Sequence, residues 1–185
     1  MQYFKLCRPG LLTLLVVAGS AFASDRPDFS SVWYFQAERS EPSDGGGRSA
    51  SLKLRVVQEK AEIAIDRTYN SFAVYENLTF DGSESESEFR STPRIAKASW
   101  SEAGQTLVIE SRMVFRRRGN EFEITSTERW SLQEEGSVLQ IDYVSESPRG
   151  QTTATLVYTQ QEPTGPREYI PPNLNFYSLN PGRKP

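Results

Sequence analysis

One stretch of this chain places an ionisable group where apolar packing is expected. In Ile124-Thr125-Ser126-Thr127-Glu128-Arg129-Trp130-Ser131-Leu132, a period of two puts Ile124, Ser126, Glu128, Trp130 and Leu132 on one face. A bare carboxylate turned toward a core costs several kcal/mol, so Glu128 needs partners. The same alternation supplies candidates. Arg67 follows Ile63 and Ile65, and Ser111 lies between Ile109 and Met113. Tyr143 follows Leu139 and Ile141, and Tyr158 follows Ala154 and Leu156. Glu128, Arg67, Ser111, Ser126 and a tyrosine then form an internal polar cluster beside Trp130.

Three readings of that cluster stay open. It anchors the polar head of a ligand in an otherwise apolar pocket, with Arg67 favouring a carboxylate head. It is an internal ion pair, satisfied by the protein and by buried water. Or a bulge shifts the register and Glu128 lies at a rim. Acid–base catalysis by two carboxylates is not expected. Asp66 and Asp142 fall on the outward parity, and Glu128 has no evident second carboxylate beside it.

What the chain lacks removes other chemistries. It has no His, and its one Cys is Cys7. A Ser-His-Asp triad, a Cys-His pair, His-ligated metals and an intramolecular disulfide are excluded. No catalytic group, metal or cofactor is expected. The formal net charge is −3, and the leader holds Lys5 and Arg8 without an acidic residue, so the mature chain is more acidic still. Such a chain does not suit a nucleic-acid backbone.

The elements that position these residues are strands. Segments 31–36, 51–58, 62–69, 72–80, 95–100, 106–116, 121–132, 137–144 and 152–160 are rich in Val, Ile, Thr and aromatics, and most alternate. Turn signals such as Asp81-Gly82, Ala103-Gly104 and Arg118-Gly119-Asn120 separate them. The pattern predicts an all-β, antiparallel up-and-down barrel of about 8–10 strands. The glycine-rich loop 37–48 is expected to move. Segment 81–88, alternating Ser and Glu, reads as a solvated hairpin tip, with a cation-binding loop as the alternative; it lacks the ligand spacing of an EF-hand loop.

An outer-membrane barrel is not the expectation. One face of 107–116 carries Leu107, Ile109, Ser111, Met113 and Phe115, too apolar for a water-filled lumen. The other carries Glu110, Arg112 and Arg116, too charged for lipid. Arg112 and Arg116 are expected to meet Glu121 and Glu123 across a hairpin. Trp33 and Trp100 read as core plugs.

The ends differ in character from the middle. Lys5 and Arg8, the apolar run Leu11 to Ala18 and Ala21-Phe22-Ala23 form a signal peptide over 1–23, with cleavage after Ala23. The run is too short to span a bilayer, so the mature protein is expected in the periplasm or secreted, with no membrane span. The barrel domain is expected over 24–161. Segment 162–185 is a Pro-rich tail with six of the chain's 11 prolines, yet it holds Tyr169, Ile170, Leu174, Phe176 and Tyr177. Those apolar residues predict that part of it packs on the barrel, a loose tail being the alternative.

Short motifs carry a family resemblance. They are Asp28-Phe29-Ser30-Ser31-Val32-Trp33, Leu78-Thr79-Phe80-Asp81-Gly82, Ala98-Ser99-Trp100, Leu107-Val108-Ile109, Thr127-Glu128-Arg129-Trp130-Ser131-Leu132 and Val157-Tyr158. In this order the chain, from about residue 28 to 160, resembles bacterial exported lipocalin-like β-barrel proteins. Ser31 stands where the lipocalin opening usually has Gly. The resemblance implies an interior able to hold a small apolar or amphipathic ligand. Glu128, Arg67, Ser111, Ser126, Tyr143, Tyr158 and Trp130 are the residues expected to meet it. The alternative is a solid-cored module that binds a cell-envelope protein through its outer face or its tail.

Overall fold

Alternating side chains force each strand to choose an inner and an outer face, and short turns join the strands in sequence. The computed structural model describes residues 26–41, 50–117 and 119–164. The segment expected to be a signal peptide, the centre of the glycine-rich loop and most of the Pro-rich tail lie outside the described residues. Ten strands form: β1 (Ser31–Phe35), β2 (Lys53–Gln58), β3 (Glu62–Thr68), β4 (Ala73–Thr79) and β5 (Ser85–Phe89) in the first half. The second half holds β6 (Thr92–Trp100), β7 (Leu107–Arg117), β8 (Asn120–Gln133), β9 (Val138–Ser147) and β10 (Gly150–Thr159).

The hydrogen-bonded order is β4-β3-β2-β1-β10-β9-β8-β7-β6-β5. Every chain neighbour is a sheet neighbour except β4 and β5, and β1 pairs antiparallel with β10. This is an all-β up-and-down barrel, as the alternation predicts. β4 and β5 lie side by side at the seam, where no ladder joins them among the described residues. Ser85 Oγ donates to the Asn77 carbonyl at 2.7 Å across that seam.

β5 corrects the sequence reading of a solvated hairpin tip. Its inward positions are Ser85, Ser87 and Phe89, and its Glu86 and Glu88 are exposed. Charged outward residues suit a strand at a sheet edge. The outer hairpin charges are also rearranged. Arg116 meets Glu121 at 2.9 Å, whereas Arg112 turns to Glu84 at 3.4 Å.

The interior is layered. One end is sealed by the residues before β1, with Phe29 inside the barrel and fully buried. Phe29 stacks on Trp100 and meets Trp130 edge-on, at centroid distances of 6.0 and 5.8 Å. Gln58 holds this segment, accepting from the Phe29 N–H at 3.1 Å and donating to the Pro27 carbonyl at 2.9 Å. Trp33, Leu54, Ile63, Leu107, Trp130 and Leu139 complete a fully buried layer. Trp33 and Trp100 are therefore packing residues at this end.

The turn after β4 is built on one carboxylate. Asp81 Oδ1 accepts from Thr79 Oγ1 at 2.7 Å, from the Ser83 N–H at 3.0 Å and from Ser83 Oγ at 2.7 Å. These bonds, Thr79 foremost, hold the Asp81 carboxyl at about 2, below its ordinary 3.8. A lowered folded value means that the turn gains from ionised Asp81 at pH above 4, and loses that gain as pH falls through about 2. A carboxyl titration followed by NMR is expected to show a midpoint near 2, and Thr79→Val is expected to raise it.

Candidate functional site

Four strands each aim one charged side chain into the barrel. On β3, Ile63, Ile65 and Arg67 are the buried inward residues; on β4 they are Val74, Glu76 and Leu78. β8 presents Ser126, Glu128 and Trp130, and β6 presents Arg94, Ala96 and Ala98. None of the four charged residues is more than 4% exposed. The two alanines beside Arg94 leave room for its long side chain.

The four charges form one crossbar. Arg67 Nε meets Glu76 Oε2 at 2.7 Å, and Arg67 Nη2 meets Glu128 Oε2 at 2.8 Å. Arg94 pairs with Glu76 through Nη1 and lies 3.7 Å from Glu128 through Nη2. Trp130 Nε1 donates to Glu128 Oε2 at 3.0 Å, and the Arg67 guanidinium lies 5.5 Å from the Trp130 ring centre. Two cations and two anions cancel. Each carboxylate is shared by both guanidiniums, which is the arrangement a buried ion cluster needs to offset its desolvation.

Next to the crossbar the wall is made of small residues. Ser85, Ala96, Ser111, Ser126, Ser145 and Thr152 pair successively across β5, β6, β7, β8, β9 and β10, all on the inner face. Ser111 and Ser126 share a hydrogen bond at 2.8 Å. Ser145 and Thr152 keep partial exposure although they point inward. Glu128 is the direct cross-strand neighbour of Tyr143. Tyr158 shares a hydrogen bond of 3.2 Å with Ser51. Burial pushes the Tyr158 phenol well above its ordinary value, with the Ser51 bond opposing. It therefore stays a neutral hydrogen-bonding group.

Beyond this row the barrel ends in aromatics. Tyr69 stacks on Phe72 at 4.5 Å, and Phe89 meets both edge-on at 5.7 and 5.2 Å. The Arg90 guanidinium covers Phe72 at 4.4 Å. This clasp links the β3–β4 and β5–β6 turns across the seam. Inward side chains keep some exposure here, Met113 9% and Tyr143 6%.

All seven residues singled out from sequence face inward and are buried. Arg67, Glu128 and Trp130 belong to the crossbar, Ser111 and Ser126 to the row of small residues, and Tyr158 bonds elsewhere. The rim position for Glu128 is overturned, because the β7–β8 and β8–β9 ladders run through it without a bulge. The expectation that Glu128 lacks a second inward carboxylate is also overturned, by Glu76. Sequence reasoning missed Glu76 and Arg94. The alternation Val74, Glu76, Leu78 carried the signal for the first. Arg94 was hidden because its strand was started after Pro93.

A concavity of about 330 Å³ lies on the outer face of β6 to β9. Two of its ion pairs are Lys97 with Glu110 at 3.1 Å and Arg112 with Glu84 at 3.4 Å. Among the described residues no three acidic side chains converge as a metal site would require.

Comparison with known proteins gives a likeness in structure only. No protein-family model matches the chain, and no curated protein matches it in sequence. Solved structures that match include zebrafish ileal bile acid-binding protein complexed with cholic acid. That likeness has a TM-score of 0.49 at 14% identity, and it covers 72% of this chain and 98% of that one.

Proposed function

We propose that this chain is an exported, non-enzymatic barrel that holds a small amphipathic ligand inside, beside the ionic crossbar and against the small inward residues of β7 to β10. The row of small inward residues from Ser85 to Thr152 carries this reading. Small barrels normally fill their interior with side chains that alternate small and large around the wall. On β7 to β10 nothing longer than Ser or Thr stands in this row, which leaves the wall recessed there, whereas on β6 Ala96 makes room for Arg94. Apolar side chains, Met113 and Ile124, stand on the next positions of β7 and β8. Apolar walls with a few convergent hydrogen-bonding groups are the usual make-up of a ligand site.

The reading is tested by filling the recess. Ser145 is inward and partly exposed, so Ser145→Leu adds bulk without breaking the Ser111–Ser126 bond. Native mass spectrometry of protein taken gently from the periplasm is expected to show an adduct that is lost on denaturation. The variant is expected to fold and to lose the adduct. A clean apo mass for the wild type, with no binding of added amphiphiles, would sink the reading.

A further inference from the structure

We infer that the ligand of this recess carries an uncharged, hydroxylated head, because the interior offers neutral hydroxyls and has already cancelled its own charges. The inference rests on the interior-binding reading and names the ligand class it takes.

The charges are accounted for. Arg67, Arg94, Glu76 and Glu128 are the buried charged side chains among the described residues, and they sum to zero. Each carboxylate faces both guanidiniums. A carboxylate head would have to take Arg67 or Arg94 from Glu76 or Glu128. The displaced carboxylate would then be left buried with half its partners. An ammonium head would meet the converse problem, since each Glu is already committed. Either exchange costs a factor of about 10 or more in affinity. Arg67 in isolation suggests a carboxylate partner; the presence of Glu76 and Arg94 cancels that suggestion.

What remains available is neutral. Ser111, Ser126, Ser145 and Thr152 each donate one hydrogen bond and accept others. Ser111 and Ser126 bond each other, and a hydroxyl that does so keeps acceptor capacity. An alcohol or glycerol head matches these groups without disturbing the crossbar. Ile124 on β8 and Phe89 at the aromatic end lie on the inner face, where a single apolar tail finds its contacts, while Met113 neighbours Arg94.

The test compares three amphiphiles with one tail: monodecanoylglycerol, decanoate and decylammonium. Each is titrated into the full mature chain at neutral pH, with and without Ser145→Leu. The glycerol ester is expected to bind about 10-fold or more tightly than either ion, and Ser145→Leu is expected to abolish its binding. Decanoate or decylammonium binding as tightly as the ester would overturn the neutral-head inference and leave interior binding standing. Undiminished ester binding in Ser145→Leu would move the site out of the recess and overturn both. Failure of all three to bind would remove the interior-binding reading, and this inference with it.

Discussion

Arg67→Met is expected to destabilise the barrel by about 3–5 kcal/mol, the range for breaking a buried ion cluster by removing one partner. Arg67 is the residue to remove because it alone makes short contacts to both carboxylates, at 2.7 and 2.8 Å. Its loss leaves Glu76 and Glu128 facing each other with Arg94 as their shared cation. Glu128→Gln is expected to cost about 3 kcal/mol for the mirror-image reason. It also weakens the acceptor of the Trp130 N–H. The double variant Arg67→Met/Glu128→Gln keeps Arg94 opposite Glu76 and restores neutrality. It is expected to be more stable than the sum of the two single losses predicts, by about 1–3 kcal/mol of coupling. Urea unfolding of the four proteins measures this directly, provided the slope stays constant. A loss under about 1 kcal/mol for Arg67→Met would mean that water or a ligand takes the guanidinium's place.

The same cluster marks where sequence reasoning reaches its limit. Alternation within one strand tells which residues share a face, so Glu128 and Arg67 were legible as inward. It does not tell which inward residues meet across the barrel. The Arg67–Glu128 contact joins β3 to β8, two strands that are not sheet neighbours, so no ladder register predicts it. Glu76 had the same alternation as Arg67, and nothing local distinguished it from a residue on a shifted register. β5 escaped because both of its faces are polar until Phe89, leaving no contrast between core and solvent sides. Arg94 escaped because Pro93 looks like a strand boundary. Pro93 is in fact exposed on β6 opposite Glu88 of the edge strand β5. Proline is tolerated near such an edge, so the boundary signal was a position signal instead.

Whether the barrel holds a ligand also depends on how firmly its sealed end is packed, and Trp33 tests that. Trp33 is fully buried, and its Nε1–H donates to the Phe29 carbonyl at 2.9 Å. That bond ties the segment before β1 to the strand itself. Trp33→Ala removes one of the two largest side chains of the layer and the donor together. The cavity and transfer terms give a loss of about 3–5 kcal/mol. A further loss of about 1 kcal/mol follows if the Phe29 carbonyl finds no other donor. Trp33→Phe keeps most of the volume and is expected to cost distinctly less. If the interior is rigidly layered, neither substitution alters amphiphile affinity measured well below the unfolding transition, because Trp33 belongs to the layer at the sealed end and not to the row from Ser85 to Thr152. A change in affinity that tracks the change in stability would show instead that the two halves of the interior act as one unit. The recess would then be a property of the whole barrel rather than of the row from Ser85 to Thr152.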